Sequence, residues 1–196
     1  MKKGLVSLLI VGAIVLGLFF WFQGNYNKMV KMDEGVQAAW SQVENVYQRR
    51  ADLIPNLVAT VKGYAQHEQQ TLEGVISARS KATQISVDPE NLTPEEIAKY
   101  QKAQGELGAA LGKLLAITEN YPDLKANENF LSLQSQLEGT ENRITVERNK
   151  YNQVAREYNT TIRQFPKNIV AGMFGFEKKP YFEAQEGAET APKVEF

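Results

Sequence analysis

The chain opens on one unbroken apolar block and then switches to a three-four alternation of apolar and polar positions that continues from residue 26 to residue 165. Between Lys3 and Gln23 the nineteen residues GLVSLLIVGAIVLGLFFWF carry no charge. As a helix rising ~1.5 Å per residue they extend ~28 Å, enough to cross the hydrocarbon core of a bilayer. A cleaved signal peptide has a shorter apolar core that ends in small residues, whereas this one runs into Phe19, Phe20, Trp21 and Phe22. The pattern therefore predicts a retained anchor over residues 1–25, in contact with lipid through residues 4–22. It leaves the membrane near Trp21, because amphipathic rings settle at headgroup depth. Lys2, Lys3 and the terminal amine favour a cytoplasmic N-terminus and a bundle outside the cytoplasm, against the opposing bias of Lys28 and Lys31.

Beyond the anchor the spacing predicts four helices. Val36, Ala39, Trp40, Val43, Val46 and Tyr47 fall on one stripe of a first helix over residues 26–51. Asp52-Leu53-Ile54-Pro55 predicts a turn or kink, since proline lacks an N–H and Asp52 can cap a new start. A second helix carries Leu57, Val58, Val61, Tyr64, Ala65, Leu72, Val75 and Ile76 until Ser86-Val87-Asp88-Pro89 interrupts it. Thr93-Pro94-Glu95-Glu96 is a capping box with proline at the first helical position. It opens a third helix through Ile97, Leu107, Leu111, Leu114 and Leu115. Gly105, Gly108 and Gly112 interrupt this run, each at ~1 kcal/mol relative to alanine, which predicts close approach of a neighbouring helix in return. After Tyr121-Pro122-Asp123 a fourth run, Phe130 to Phe165, is stopped by Pro166. Short connections between amphipathic runs predict an all-α fold: an N-terminal single transmembrane helix followed by an antiparallel long four-helix bundle over residues 26–166.

Two segments follow the bundle. Residues 167–182 include Ile169, Val170, Met173, Phe174 and Phe176, broken by glycines and followed by Lys178 and Lys179. This is a composition suited to contact with lipid or a partner, or to a cap folded over the bundle end. Residues 183–196 are small, acidic or helix-breaking, with too little apolar surface to offset ordering entropy, and are expected to form a disordered acidic tail.

Composition removes several function classes. The chain contains no cysteine and its net charge of −1 is spread along most of its length, so thiolate chemistry is excluded and no basic footprint for nucleic acid exists. The single histidine, in His67-Glu68-Gln69-Gln70-Thr71, begins a zinc-protease pattern but has Thr71 where a second ligand must stand. Neither a nucleophile elbow nor a phosphate-binding glycine loop is present. No metal, cofactor or catalytic residue is expected.

The fourth run places Glu141 and Arg148 where its spacing calls for apolar residues. A buried charge needs partners, and Arg49, Arg50, Glu68 and Glu119 are the candidates for a polar network that fixes helix register. A solvated helix edge is the alternative. Tyr151-Asn152 and Tyr158-Asn159 repeat one pair at a seven-residue interval, on the same side of the helix.

Ala39-Trp40, Arg49-Arg50-Ala51-Asp52-Leu53-Ile54-Pro55-Asn56-Leu57-Val58, Val61-Lys62-Gly63-Tyr64-Ala65 and Ala78-Arg79 resemble the LemA family. So do Glu119-Asn120-Tyr121-Pro122-Asp123-Leu124-Lys125-Ala126, Glu141-Asn142-Arg143-Ile144 and Phe165-Pro166, and the likeness covers residues 1–183 but not the tail. The resemblance implies an N-terminally anchored, non-enzymatic bundle of the bacterial inner membrane, with a membrane zinc protease as a possible quality-control partner. Together these features predict a membrane-tethered scaffold or adaptor able to form homo-oligomers. The alternative function is a membrane-proximal sensor binding a small molecule between its helices.

Overall fold

The computed structural model describes residues 2–90 and 92–183. Six helices occur in them: α1 (Lys2–Tyr64), α2 (Gln69–Gln84), α3 (Pro94–Thr118), α4 (Pro122–Lys125), α5 (Glu128–Arg163) and α6 (Lys167–Phe174). No strand appears among the described residues. Every residue from Gly4 to Trp21 is exposed, and α1 is long and apolar enough there to cross a membrane. From Met29 onward the same helix turns a buried stripe toward the bundle, through Val36, Trp40, Val43, Tyr47, Ile54, Leu57 and Val61.

α1 does not break where its proline predicts. It runs as one helix of 63 residues through Pro55, ~95 Å at the usual rise. Pro55 has no N–H for the carbonyl of Ala51, which a helix would otherwise leave as an unpaired acceptor. Arg79 of α2 supplies the missing donor: its Nε bonds the Ala51 carbonyl at 2.7 Å. The turn lies ten residues after the proline, at Ala65–Glu68, so Leu57 to Tyr64 belong to α1 and α2 begins at Gln69. His67 sits exposed in this turn.

The other boundaries are local. Thr93 Oγ1 accepts the Glu96 N–H and the Glu96 carboxylate accepts the Thr93 N–H, each at 3.2 Å, so the capping box that opens α3 is formed. The fourth run is one helix, α5, which Asn127 caps by accepting the Phe130 N–H at 3.0 Å, and Pro122–Lys125 forms the separate short α4 before it. At the end of α6 Gly175 takes φ +72°, a left-handed position that favours glycine.

Contacts fix the directions. Asp33 lies by Tyr158, Trp40 by Tyr151 and Arg50 by Glu141, so α5 descends antiparallel to α1. α3 rises with α1, carrying Tyr100 against Trp40 and Gln104 against Arg50. The glycines of α3 do not admit a neighbouring backbone. A Cβ at Gly105 or Gly112 would meet nothing within 4 Å, and at Gly108 only the Arg50 guanidinium at 3.8 Å.

α6 and the chain after it are partly core. Val170 and Ala171 form the buried side of α6, and Phe182 is buried between Trp40 and Tyr151. Of the expected acidic tail only Glu183 is described; residues 184–196 lie outside the described residues.

Candidate functional site

Arg50 is 2% exposed and sits where one apolar cluster, ending at Tyr47 on α1, gives way to another that starts at Ile54. Its Nη1 donates to Glu141 Oε2 at 2.9 Å, and its Nη2 donates to Gln104 through the backbone carbonyl at 3.0 Å and Oε1 at 2.7 Å. The Tyr47 ring lies 5.1 Å below the guanidinium. A buried charge with partners on α3 and α5 stays in place only in one register, because sliding either helix would strand it.

The six polar residues singled out from sequence do not form one network. Arg50 and Glu141 pair, whereas Arg49 is exposed, Glu68 accepts from the Tyr121 hydroxyl at 3.0 Å, and Glu119 pairs with Lys125. Arg148 turns to the chain's C-terminal segment. Gln104 is the partner that spacing missed. A polar residue on the buried seam of α3, among Tyr100, Leu107 and Leu111, was the available signal.

The two Tyr-Asn pairs have a defined role in the fold. Residues 176–183 form a strap without regular secondary structure that runs back along α5. Asn159 donates to the Lys179 carbonyl at 2.8 Å and accepts the Lys179 N–H at 2.9 Å. Asn152 does the same for Phe182, donating and accepting at 2.9 Å. Seven residues of helix advance ~10.5 Å, and three residues of extended chain cover ~10 Å. The interval between the asparagines therefore matches the strap residues they hold. Tyr151 adds a hydroxyl bond to the Pro180 carbonyl at 2.9 Å, and Arg148 and Gln101 both donate to the Glu183 carbonyl, at 3.0 and 2.8 Å.

One side chain anchors the strap. The Phe182 ring stacks on Trp40 at 5.5 Å and 8°, meets Tyr151 edge-on at 5.4 Å, and lies 4.9 Å from the Arg148 guanidinium. At the other end Lys179 Nζ pairs with Asp33 Oδ1 at 3.0 Å and donates to the Glu90 carbonyl at 3.1 Å. Burial raises the hydroxyl pKa values of Tyr100, Tyr151 and Tyr158, and the Asp33 carboxylate raises that of Tyr158 further, so all three remain neutral inside the bundle.

A second surface lies where α1 would leave a membrane. Tyr26 packs against Phe174 at 4.7 Å and Phe176 at 5.8 Å, which fixes α6 beside the exit point. Ile169, Met173 and Phe174 are exposed on it, and Phe165 nearby is 82% exposed. Val170 is fully buried and belongs to the core instead of this face.

Hollows among the described residues open to solvent. One of about 760 Å³ is lined by Lys28, Lys31, Arg156 and Thr160, and one of about 1170 Å³ lies between α3 and the strap. No group of three or more metal-ligating side chains occurs among the described residues.

The sequence model of the LemA family matches residues 39–196, so it runs through the tail and begins within α1. Magnetosome protein MamQ 2 of Paramagnetospirillum magneticum is 28% identical over 202 residues, covering 94% of this chain and 73% of its own length. MamQ of Magnetospirillum gryphiswaldense is 28% identical over 84% of this chain and 67% of its own length. Protein LemA of Metamycoplasma hominis is 26% identical over 88% of this chain and 76% of its own length. The names of these relatives designate no enzyme, and the exposed apolar first part of α1 fits a membrane protein. With a family match across five of the six described helices in full, together with the later part of α1, the chain belongs to the LemA family.

Proposed function

We propose that this protein is a non-catalytic scaffold of the bacterial envelope, held by one uncleaved membrane helix with its bundle outside the cytoplasm. The observation that carries the proposal is the continuity of α1. Its exposed apolar part, Gly4 to Phe20, and the buried stripe of the bundle belong to one helix. A rigid helix that enters the bundle directly transmits the orientation of the anchor to everything above it. Residues 4–22 take the lipid, and the exposed Ile169, Met173 and Phe174 of α6 rest on the bilayer surface beside Tyr26. The adaptor role belongs to the same proposal, with a membrane zinc protease or further copies of the chain as partners. The sensor alternative would place a small molecule between the helices, and the continuity of α1 does not call for one.

A fluorophore attached to Met173→Cys in the reconstituted full chain tests the placement of α6. The chain has no cysteine of its own, so the label is unique. Quenching by lipid-borne quenchers at position 173, with none at exposed Gln136→Cys on the upper part of α5, is the expected result. Equal quenching at both positions, or at neither, refutes the contact.

A further inference from the structure

The strap is held as a bound peptide is held, and we propose that its groove on the bundle is a peptide-binding site that also accepts the strap of a second copy of this chain. The hydrogen bonds reach main-chain atoms of Lys179, Pro180, Phe182 and Glu183, from side chains of Gln101, Arg148, Tyr151, Asn152 and Asn159. Asparagine is suited to this work, since its amide matches the N–H and C=O of one peptide residue at once. Two such amides at matched intervals recognise extended chain of any sequence. Selectivity comes from the two ends: a slot between Trp40 and Tyr151 for an aromatic ring, and the Asp33 carboxylate for a cation. The groove thus reads a lysine followed three residues later by phenylalanine, a pattern that every copy carries at Lys179 and Phe182.

The same contacts form whether the strap comes from its own bundle or a neighbour's, so the balance between them is set by effective concentration and by the hinge. The hinge is short. Between the end of α6 and Lys179 lie only Gly175, with its left-handed φ of +72°, and Phe176, Glu177 and Lys178. The inference rests on the membrane-tethered reading. Anchored copies share one plane, and Trp40 stands eighteen residues above Phe22 in each of them, ~27 Å along an unbroken helix. Every groove and every strap then lie at one height, and crowding in the plane favours exchange.

Two single-cysteine full-length chains with different tags, Gln101→Cys at the groove rim and Glu183→Cys on the strap, test the proposal in lipid vesicles with a short thiol-to-thiol cross-linker. The two positions are adjacent, because the Gln101 amide donates to the Glu183 carbonyl at 2.8 Å. Flotation of the vesicles before cross-linking reads membrane tethering separately, so loss of the tether is distinguished from failure of exchange. A cross-linked pair of unlike tags is expected, increasing with protein-to-lipid ratio. It should fall at least tenfold when a capped peptide of residues 178–183 is added in excess, or when Asn152→Leu and Asn159→Leu are placed in the groove copy. The peptide competition requires no altered groove. If floated protein gives no mixed product while the double variant Gln101→Cys/Glu183→Cys links within one chain, the strap is a fixed part of its own bundle and the proposal is overturned. A mixed product insensitive to the peptide overturns it equally, since proximity without groove occupancy then explains the link.

Discussion

Replacing Arg79 with methionine removes the one donor that serves the carbonyl freed by Pro55, while keeping most of the aliphatic stem. The bond is 2.7 Å long and comes from a charged group to a carbonyl on α1 beside the buried Ala51. Hydrogen bonds with one charged partner contribute about 1.5–3 kcal/mol, and an acceptor left dry loses its solvation as well. Arg79→Met is therefore expected to destabilise the bundle by about 2–3 kcal/mol, measured by reversible denaturant unfolding in mild detergent. The reasoning has a sharper consequence in the Pro55→Ala background. An alanine at 55 restores an N–H four residues after Ala51, so the carbonyl keeps a helical partner whether or not Arg79 is present. There the same arginine substitution should cost less than about 1 kcal/mol, a coupling of roughly 1–2 kcal/mol between two residues 24 positions apart in sequence. An equal cost of Arg79→Met in both backgrounds would refute the claim that Arg79 is what lets α1 pass through its proline.

At the Arg50 layer, Gln104→Leu should destabilise by about 1–3 kcal/mol because it removes a buried partner of a buried guanidinium. Glu141→Gln should cost less than about 1 kcal/mol, as that carboxylate is 58% exposed; thermal unfolding of the two variants gives the order directly. Alkaline stability follows from the buried tyrosines. Tyr47, Tyr100, Tyr151 and Tyr158 all have folded-state pKa values raised from 10.0, with burial the largest cause. The folded state keeps their protons where the unfolded state releases them, so their contribution is intact below pH 10 and declines above it. The slope approaches ~1.4 kcal/mol per pH unit for each tyrosine. Denaturant titrations across that window, with tyrosinate absorbance as the second signal, check this; unchanged stability well above pH 10 contradicts it.

The exposed apolar start of α1, the helical class and the capping box at Thr93 were legible because each rests on local chemistry: an uncharged run, a three-four spacing, and a hydroxyl three residues from a carboxylate. The passage of α1 through Pro55 was not, because the residue that serves the freed carbonyl is Arg79, on another helix. Close packing at Gly105, Gly108 and Gly112 failed as a sequence inference for a related reason. The cost of a glycine is local, but what faces it is tertiary, and at Gly108 the neighbour is the Arg50 side chain. In the candidate site, Arg50 and Glu141 drew notice as charges on helical seams. Gln104 escaped because an uncharged amide on α3 raises no comparable alarm. Asn152 and Asn159 were visible as a repeat, yet their complement is the backbone of Lys179 and Phe182. Side-chain patterns carry no record of which main-chain atoms are to be recognised.

The distance between spin labels at Gly24→Cys and Gly63→Cys, measured in the full chain in lipid, tests whether one unbroken helix joins the membrane to the far end of the bundle. A Cβ at either position would meet nothing within 4 Å, so neither label perturbs packing. Thirty-nine residues separate them, and a continuous helix predicts a narrow distribution centred near ~58 Å. A distribution centred near ~30 Å, the span left if the chain reversed at Asp52 to Pro55, would contradict it.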